Sequence, residues 1–89
     1  MRAVITVIGK DMVGIFAGVS NICADHKVNI IEVTQSIMQD MFAMIMMVDI
    51  SGANVPFAQL SEELNDFGKQ NALSVHIMHE DIFNSMHRV

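Results

Sequence analysis

Short apolar runs and helix-period stripes alternate along this chain, and their order predicts its elements. Residues 2–8 are rich in Val and Ile and predict a first strand. Ile15, Val19, Ile22 and Cys23 recur at helical spacing, so residues 13–26 predict a helix, with Asp11 offered as its cap. Residues 28–37 predict a second strand. Its two faces carry Ile31, Val33 and Ile37 on one side and Ile30, Glu32, Thr34 and Ser36 on the other. Gln39-Asp40 turns the chain into a third strand, residues 41–50. There Phe42, Met44, Met46, Val48 and Ile50 line one face, and Ala43, Ile45 and Met47 the other. A strand apolar on both faces is central or covered on both sides. After a loop, Asn54 is expected to cap a second helix, with Pro56 in its first turn. Phe57, Leu60, Leu64 and Phe67 form its apolar stripe, and Gly68 through Asn71 end it. Residues 73–79 predict a fourth strand with Leu73, Val75 and Ile77 on the core face. Ile82, Phe83, Met86 and Val89 then predict a short helix over Asp81 to Val89, docked on the body.

The order β-α-β-β-α-β is a split βαβ repeat. Right-handed crossovers place both long helices on one face of the sheet. The expected architecture is an α+β, ferredoxin-like sandwich: a four-stranded antiparallel sheet of order 4-1-3-2, two helices on one face, and a short C-terminal helix. Strands two and four form the edges. With 89 residues, one domain spanning 1–89 is expected, the segment 81–89 serving as a docking tail.

Composition narrows the function. Hydrophobic residues make up 52% of the chain, more than a small monomer hides easily, which points to self-association. The predicted open sheet face carries Val4, Ile8, Ile45, Met47 and Met78 beside Thr6, Glu32 and His76, and a homodimer by edge pairing through strand two or by sheet stacking is expected. The net charge of −5 and the lack of a basic stripe argue against nucleic-acid binding. No apolar run has the length of a membrane span, and no signal-peptide pattern precedes the first strand, so a cytoplasmic location is expected. Cys23 is expected to be a core thiol.

The strand-to-helix turn Gly9-Lys10-Asp11-Met12-Val13-Gly14-Ile15-Phe16 carries the candidate chemistry. Backbone amides at a helix start lack partners, and the helix dipole favours negative charge there, so such a turn can hold a carboxylate. Asn29, opening the second strand, offers a second polar anchor.

This turn, followed by Val28-Asn29-Ile30-Ile31-Glu32, resembles the ACT domain family, whose pattern is D-x-x-G-I before a helix and N-I at the start of strand two. The resemblance extends over essentially the whole chain. It is nearest to the ACT domains of the glycine cleavage repressor and of formyltetrahydrofolate deformylase. The tail His79-Glu80-Asp81-Ile82-Phe83-Asn84-Ser85-Met86-His87-Arg88 looks like that of stand-alone bacterial ACT proteins. The family implies allosteric, ligand-linked regulation, with domains paired side by side and an amino acid bound between one domain's turn and the other's strand two. By motif position the ligand-binding residues are then Asp11, Met12, Val13, Gly14 and Ile15 in the turn, and Asn29 and Ile30 on strand two. Asp11 departs from a simple carboxylate site, since its charge favours a ligand ammonium.

Each candidate has a plain structural alternative. Asp11 can be a helix cap, worth about 1 kcal/mol. Gly14 can be a packing or turn glycine; with Gly18 it implies close backbone approach to the sheet or to a partner helix. Asn29 can satisfy backbone groups at the strand start, and Ile30 and Ile31 can be core or interface. His76 and His79, three apart on a strand, point to opposite faces and do not chelate. Neither a metal nor a cofactor is expected, and the nine methionines suit core packing. Glu62-Glu63 suits an exposed helix face. No nucleophile stands in a catalytic motif. The expected function is a regulatory module that senses an amino acid or related metabolite at a homodimer interface. The alternative is a protein-interaction subunit with no small ligand.

Overall fold

One hairpin and two helical crossovers assemble the sheet. The computed structural model describes residues 1–10 and 14–86. Its elements are β1 (Arg2–Gly9), α1 (Ile15–Asp25), β2 (Asn29–Met38), β3 (Met41–Asp49), α2 (Phe57–Gln70), β4 (Ser74–His79) and α3 (Glu80–Met86). Neighbouring strands are antiparallel in the order β2-β3-β1-β4, the expected arrangement, with β2 and β4 at the edges.

The core lies between the sheet and the two long helices. Ile5, Val7, Met44, Met46, Val48 and Val75 meet Ile15, Val19 and Cys23 of α1 and Leu60 and Leu64 of α2. Each fully buried aliphatic side chain stabilises the fold by about 1.5–3 kcal/mol relative to exposure. Gly18 lets the helices approach: a Cβ there would stand 2.2 Å from the Phe67 ring. The close approach is to α2, not to the sheet. Among the described residues nothing lies within 4 Å of the Gly14 Cβ position, and its φ of 74° makes it a turn glycine.

β2 departs from simple alternation. Ile30 pairs with Val48 and Glu32 with Met47, leaving Ile31 as the extra residue of a β-bulge. The bulge reverses the faces of the two isoleucines. Ile30 packs against the core, whereas Ile31 is 47% exposed. Beyond the bulge, Val33 and Ile37 again share the helix side, opposite Met46 and Phe42.

Helix ends also correct the sequence reading. α1 begins at Ile15, and its N-cap position is Gly14 with no side-chain cap; Asp11 lies outside the described residues. α2 runs through Gln70, and Gly68 is buried inside it, where a Cβ would stand 2.8 Å from the Leu73 carbonyl. Its N-cap is Pro56, and Asn54 does not cap it. Both helices close with Schellman motifs. Val28 N–H bonds the Cys23 carbonyl at 2.8 Å with Lys27 at φ 58°, and Leu73 N–H bonds the Gly68 carbonyl at 2.8 Å with Ala72 at φ 56°.

The opposite face of the sheet is partly covered by α3. A bidentate ion pair from Arg2 to Glu80 holds the start of this helix, and Val4 is fully buried on this side of the sheet. Phe83 and Met86 line a groove of ≈340 Å³ above Thr6, Ile8, Ile45 and His76. Ile8, Ile45, Met38 and Met41 keep much of their surface exposed. Residues 87–89, the remainder of the expected terminal helix, lie outside the described residues.

Candidate functional site

Among the described residues, the predicted ligand residues divide between the two ends of the sheet, Gly14 and Ile15 at one and Asn29 and Ile30 at the other. Gly9, the last residue of β1, pairs with Phe42, which pairs with Ile37 near the end of β2. Asn29 pairs with Asp49, which pairs with Arg2 at the start of β1. Seven residue steps of strand therefore separate the turn from Asn29, about 23 Å. Within one chain Gly9, where the turn starts, and Asn29 do not converge.

At the turn end, Gly14 is exposed in the left-handed conformation and starts α1. Its carbonyl accepts the Gly18 N–H at 2.9 Å. Among the described residues no side chain caps this helix start, and the first turn of α1 holds no acidic residue. Ile15 is buried in the core at the helix start. Phe16, one residue on, is 44% exposed beside this helix start. Asp11, Met12 and Val13 lie outside the described residues. Gly9 sits where a Cβ would meet the Leu73 side chain at 2.2 Å, so any side chain there would displace Leu73.

At the other end, Asn29 is exposed and Ile30 half-buried. Next to them stands a polar cluster that the sequence did not announce. His26, the C-cap of α1, is approached by Asn54 Oδ1 at 3.1 Å from Nδ1 and by Glu63 Oε1 at 2.8 Å from Nε2. Asn54 Nδ2 donates to the Asp25 carbonyl at 3.4 Å, and its backbone N–H donates to the His26 carbonyl at 3.1 Å. Gln59 Nε2 donates to the other Glu63 oxygen at 3.3 Å. Hydrogen bonds from Glu63 and then Asn54 raise the His26 pKa above its ordinary 6.5. The same contact lowers the Glu63 pKa below its ordinary 4.5. Glu63, its side chain 39% exposed, thus stands on an exposed helix face as expected and also partners His26. These residues are 28 and 37 positions apart in sequence, a separation that no local pattern reveals.

The remaining candidates have structural roles. His79 stacks on Phe57 with ring centroids 4.9 Å apart, and the Nε2 of His76 is 3.0 Å from Ser74 Oγ, so the two histidines serve opposite faces of β4. Cys23 is buried, and burial pushes its thiol up to about 11, which makes it unreactive. Among the described residues no three metal-ligating side chains converge. Among them, too, no helix is long and apolar enough to cross a membrane.

A four-stranded sheet in this order, two helices on one face and a glycine turn between β1 and α1 define the ACT class, and the family's sequence model, described as ACT domain, matches residues 2–78. The chain belongs to the ACT domain family, whose members are regulatory, ligand-binding modules. Among its relatives is a UPF0237 protein of Clostridium acetobutylicum, 53% identical over 89 residues, with 100% of both chains covered. Among solved structures it is similar to an ACT domain protein from Streptococcus pneumoniae, with a TM-score of 0.81 and 36% identity over 93% of each chain. The fold also matches part of a formyltetrahydrofolate deformylase from Pseudomonas syringae, at TM-score 0.77 and 22% identity over 88% of this chain and 27% of that one. It matches part of a putative glycine cleavage system transcriptional repressor, at TM-score 0.71 and 23% identity over 86% of this chain and 44% of that one. These last two likenesses, which the sequence motifs anticipated, concern the fold alone.

Proposed function

We propose that this protein is a non-catalytic cytoplasmic regulator that binds an amino acid or related metabolite between two copies of the chain. The observation that carries this reading is the separation of the turn from Asn29 along the sheet. β2 is an exposed edge strand, and Ile31, Ile37 and Met38 on it are exposed apolar residues. An edge of this kind is stabilised by pairing. Antiparallel pairing of β2 with β2 of a second copy would bring Asn29 of one chain to the same end of the joined sheet as the turn of the other. An uncapped helix start would then attract the ligand carboxylate. Asp11 and the Asn29 amide would serve the ammonium and the remaining polar groups. Ligand binding would shift the pairing geometry by its differential affinity for two arrangements.

Thermal unfolding against the twenty amino acids at millimolar concentration tests the reading, with oligomeric state measured by light scattering. A ligand at 100 times its dissociation constant stabilises by about 2.7 kcal/mol, a shift of several degrees for a domain of this size. Asn29→Ala removes the shift while the protein stays folded. The second reading, a protein-interaction subunit, is favoured by the apolar open face around Ile8, Ile45 and Met41. A dimer that responds to no amino acid supports it.

A further inference from the structure

We propose that His26 closes a proton-operated clamp that fixes the connection leading into the Asn29 end of β2. The argument is geometric. Asn54 has its amide orientation set, because Nδ2 donates to the Asp25 carbonyl at 3.4 Å. Its Oδ1 therefore faces His26 Nδ1, as an acceptor, at 3.1 Å. Glu63 Oε1 faces Nε2, also as an acceptor, at 2.8 Å. Two acceptors on one imidazole ring require two N–H donors, which only the imidazolium has. The charge stands at the C-terminus of α1, where the helix dipole favours a cation. The groups that face the ring are Glu63 from α2, Asn54 from the loop before α2, and the neighbouring Asp25 of α1. With a proton on each nitrogen, the ring ties α1, α2 and that loop together. The backbone adds one strut, the Asn54 N–H on the His26 carbonyl at 3.1 Å.

Loss of one proton has a defined consequence. The remaining N–H stays on the anionic partner, Glu63, because charge-assisted bonds are the stronger ones. Nδ1 then presents a lone pair to Asn54 Oδ1. The amide relieves this by rotating, so that Nδ2 donates to the ring and leaves the Asp25 carbonyl. The tie from Asn54 to the end of α1 is lost while Glu63 keeps the ring on α2, so residues 26–28, which run directly into Asn29, lose that one restraint. Acid closes the clamp and alkali opens it. Its coupling to ligand binding rests on the proposed Asn29 site, but the clamp is tested without any ligand.

The test is an NMR titration of the whole protein, following the His26 ring and the Asn54 side-chain amide. The expected His26 midpoint lies above 6.5 in the wild type and moves down in Glu63→Gln, a nearly isosteric change. The Asn54 amide resonances shift with the same midpoint, and exchange protection of the Asn54 backbone amide falls several-fold above it. A His26 midpoint at or below 6.5 overturns the proposal, as does an Asn54 amide that ignores the titration. If an amino acid stabilises the protein, the stabilisation weakens above the same midpoint. A ligand effect without a raised His26 midpoint sinks the clamp and leaves the ligand site standing. A raised midpoint with no amino-acid response does the reverse.

Discussion

The two ends of the sheet are held by different means. At the end that carries Arg2, Asn29 and Asp49, side chains do the joining. Arg2 grips Glu80, the N-terminal ammonium stands 3.6 Å from Asp49, and His26 links Asn54 to Glu63. At the end that carries Gly9 and the β1–α1 turn, closeness of backbone does it. Leu73 fits against Gly9, and its carbonyl lies over Gly68. The difference teaches that one end is tunable by protons and salt, while the other depends on the absence of side chains. The proposed ligand site draws on both: Asn29 from one and the start of α1 from the other.

The largest effect is expected where a methyl group breaks the glycine end. In Gly68→Ala the new Cβ meets the Leu73 carbonyl and Val75, with no flexible side-chain tip to yield. Overpacking of this kind costs about 1–3 kcal/mol, read as a lowered urea midpoint with an unchanged slope. Gly18→Ala costs less if the Phe67 ring can turn aside, and comparing the two variants separates backbone from side-chain crowding.

A smaller, pH-dependent effect is expected at the polar end. The His26 pKa is raised on folding, so its contribution is fully present below 6.5 and is lost as pH rises through the folded value. The Glu63 pKa is lowered, so its contribution is present above 4.5 and is lost as pH falls through the folded value. The pair therefore stabilises most between these two ordinary values. Urea midpoints measured across pH should peak in that window and flatten in Glu63→Gln. A profile as steep in the variant as in the wild type would assign the pH dependence to other groups. Arg2→Ala should loosen α3 from the sheet, seen as faster amide exchange in residues 80–86, with little change in global stability, because the pair is solvent-exposed.

The smallest effects are expected at the two helix stops, one at each end. Lys27 and Ala72 both hold a left-handed conformation that glycine adopts without strain. Lys27→Gly and Ala72→Gly should each stabilise by roughly 0.5–1 kcal/mol, measured as a small rise in Tm. A loss at Lys27 alone would show that its side chain contributes to the polar end.

Element order, strand pairing and the apolar stripe of α2 were legible because each follows from local period. Val33, Met44, Met46, Leu60 and Leu64 all face where two-residue or helical spacing sends them. The pattern failed where one residue changed the count: the bulge at Ile31 is invisible to alternation, since both isoleucines are apolar. Asn54 was misassigned because a cap and a long-range acceptor have the same local signature two residues before a proline. His26 and Glu63 left no signal, since neither has a sequence neighbour that explains it.

By itself the sequence determined the fold class and the family, because these rest on short-range period and a contiguous motif. Tertiary structure alone decided that the turn and Asn29 lie at opposite ends of the sheet, that Ile30 and not Ile31 faces the core, and that His26 bridges α1 and α2. Those facts depend on strand register and on contacts between distant residues, and register is set by the cooperative packing of the whole sheet.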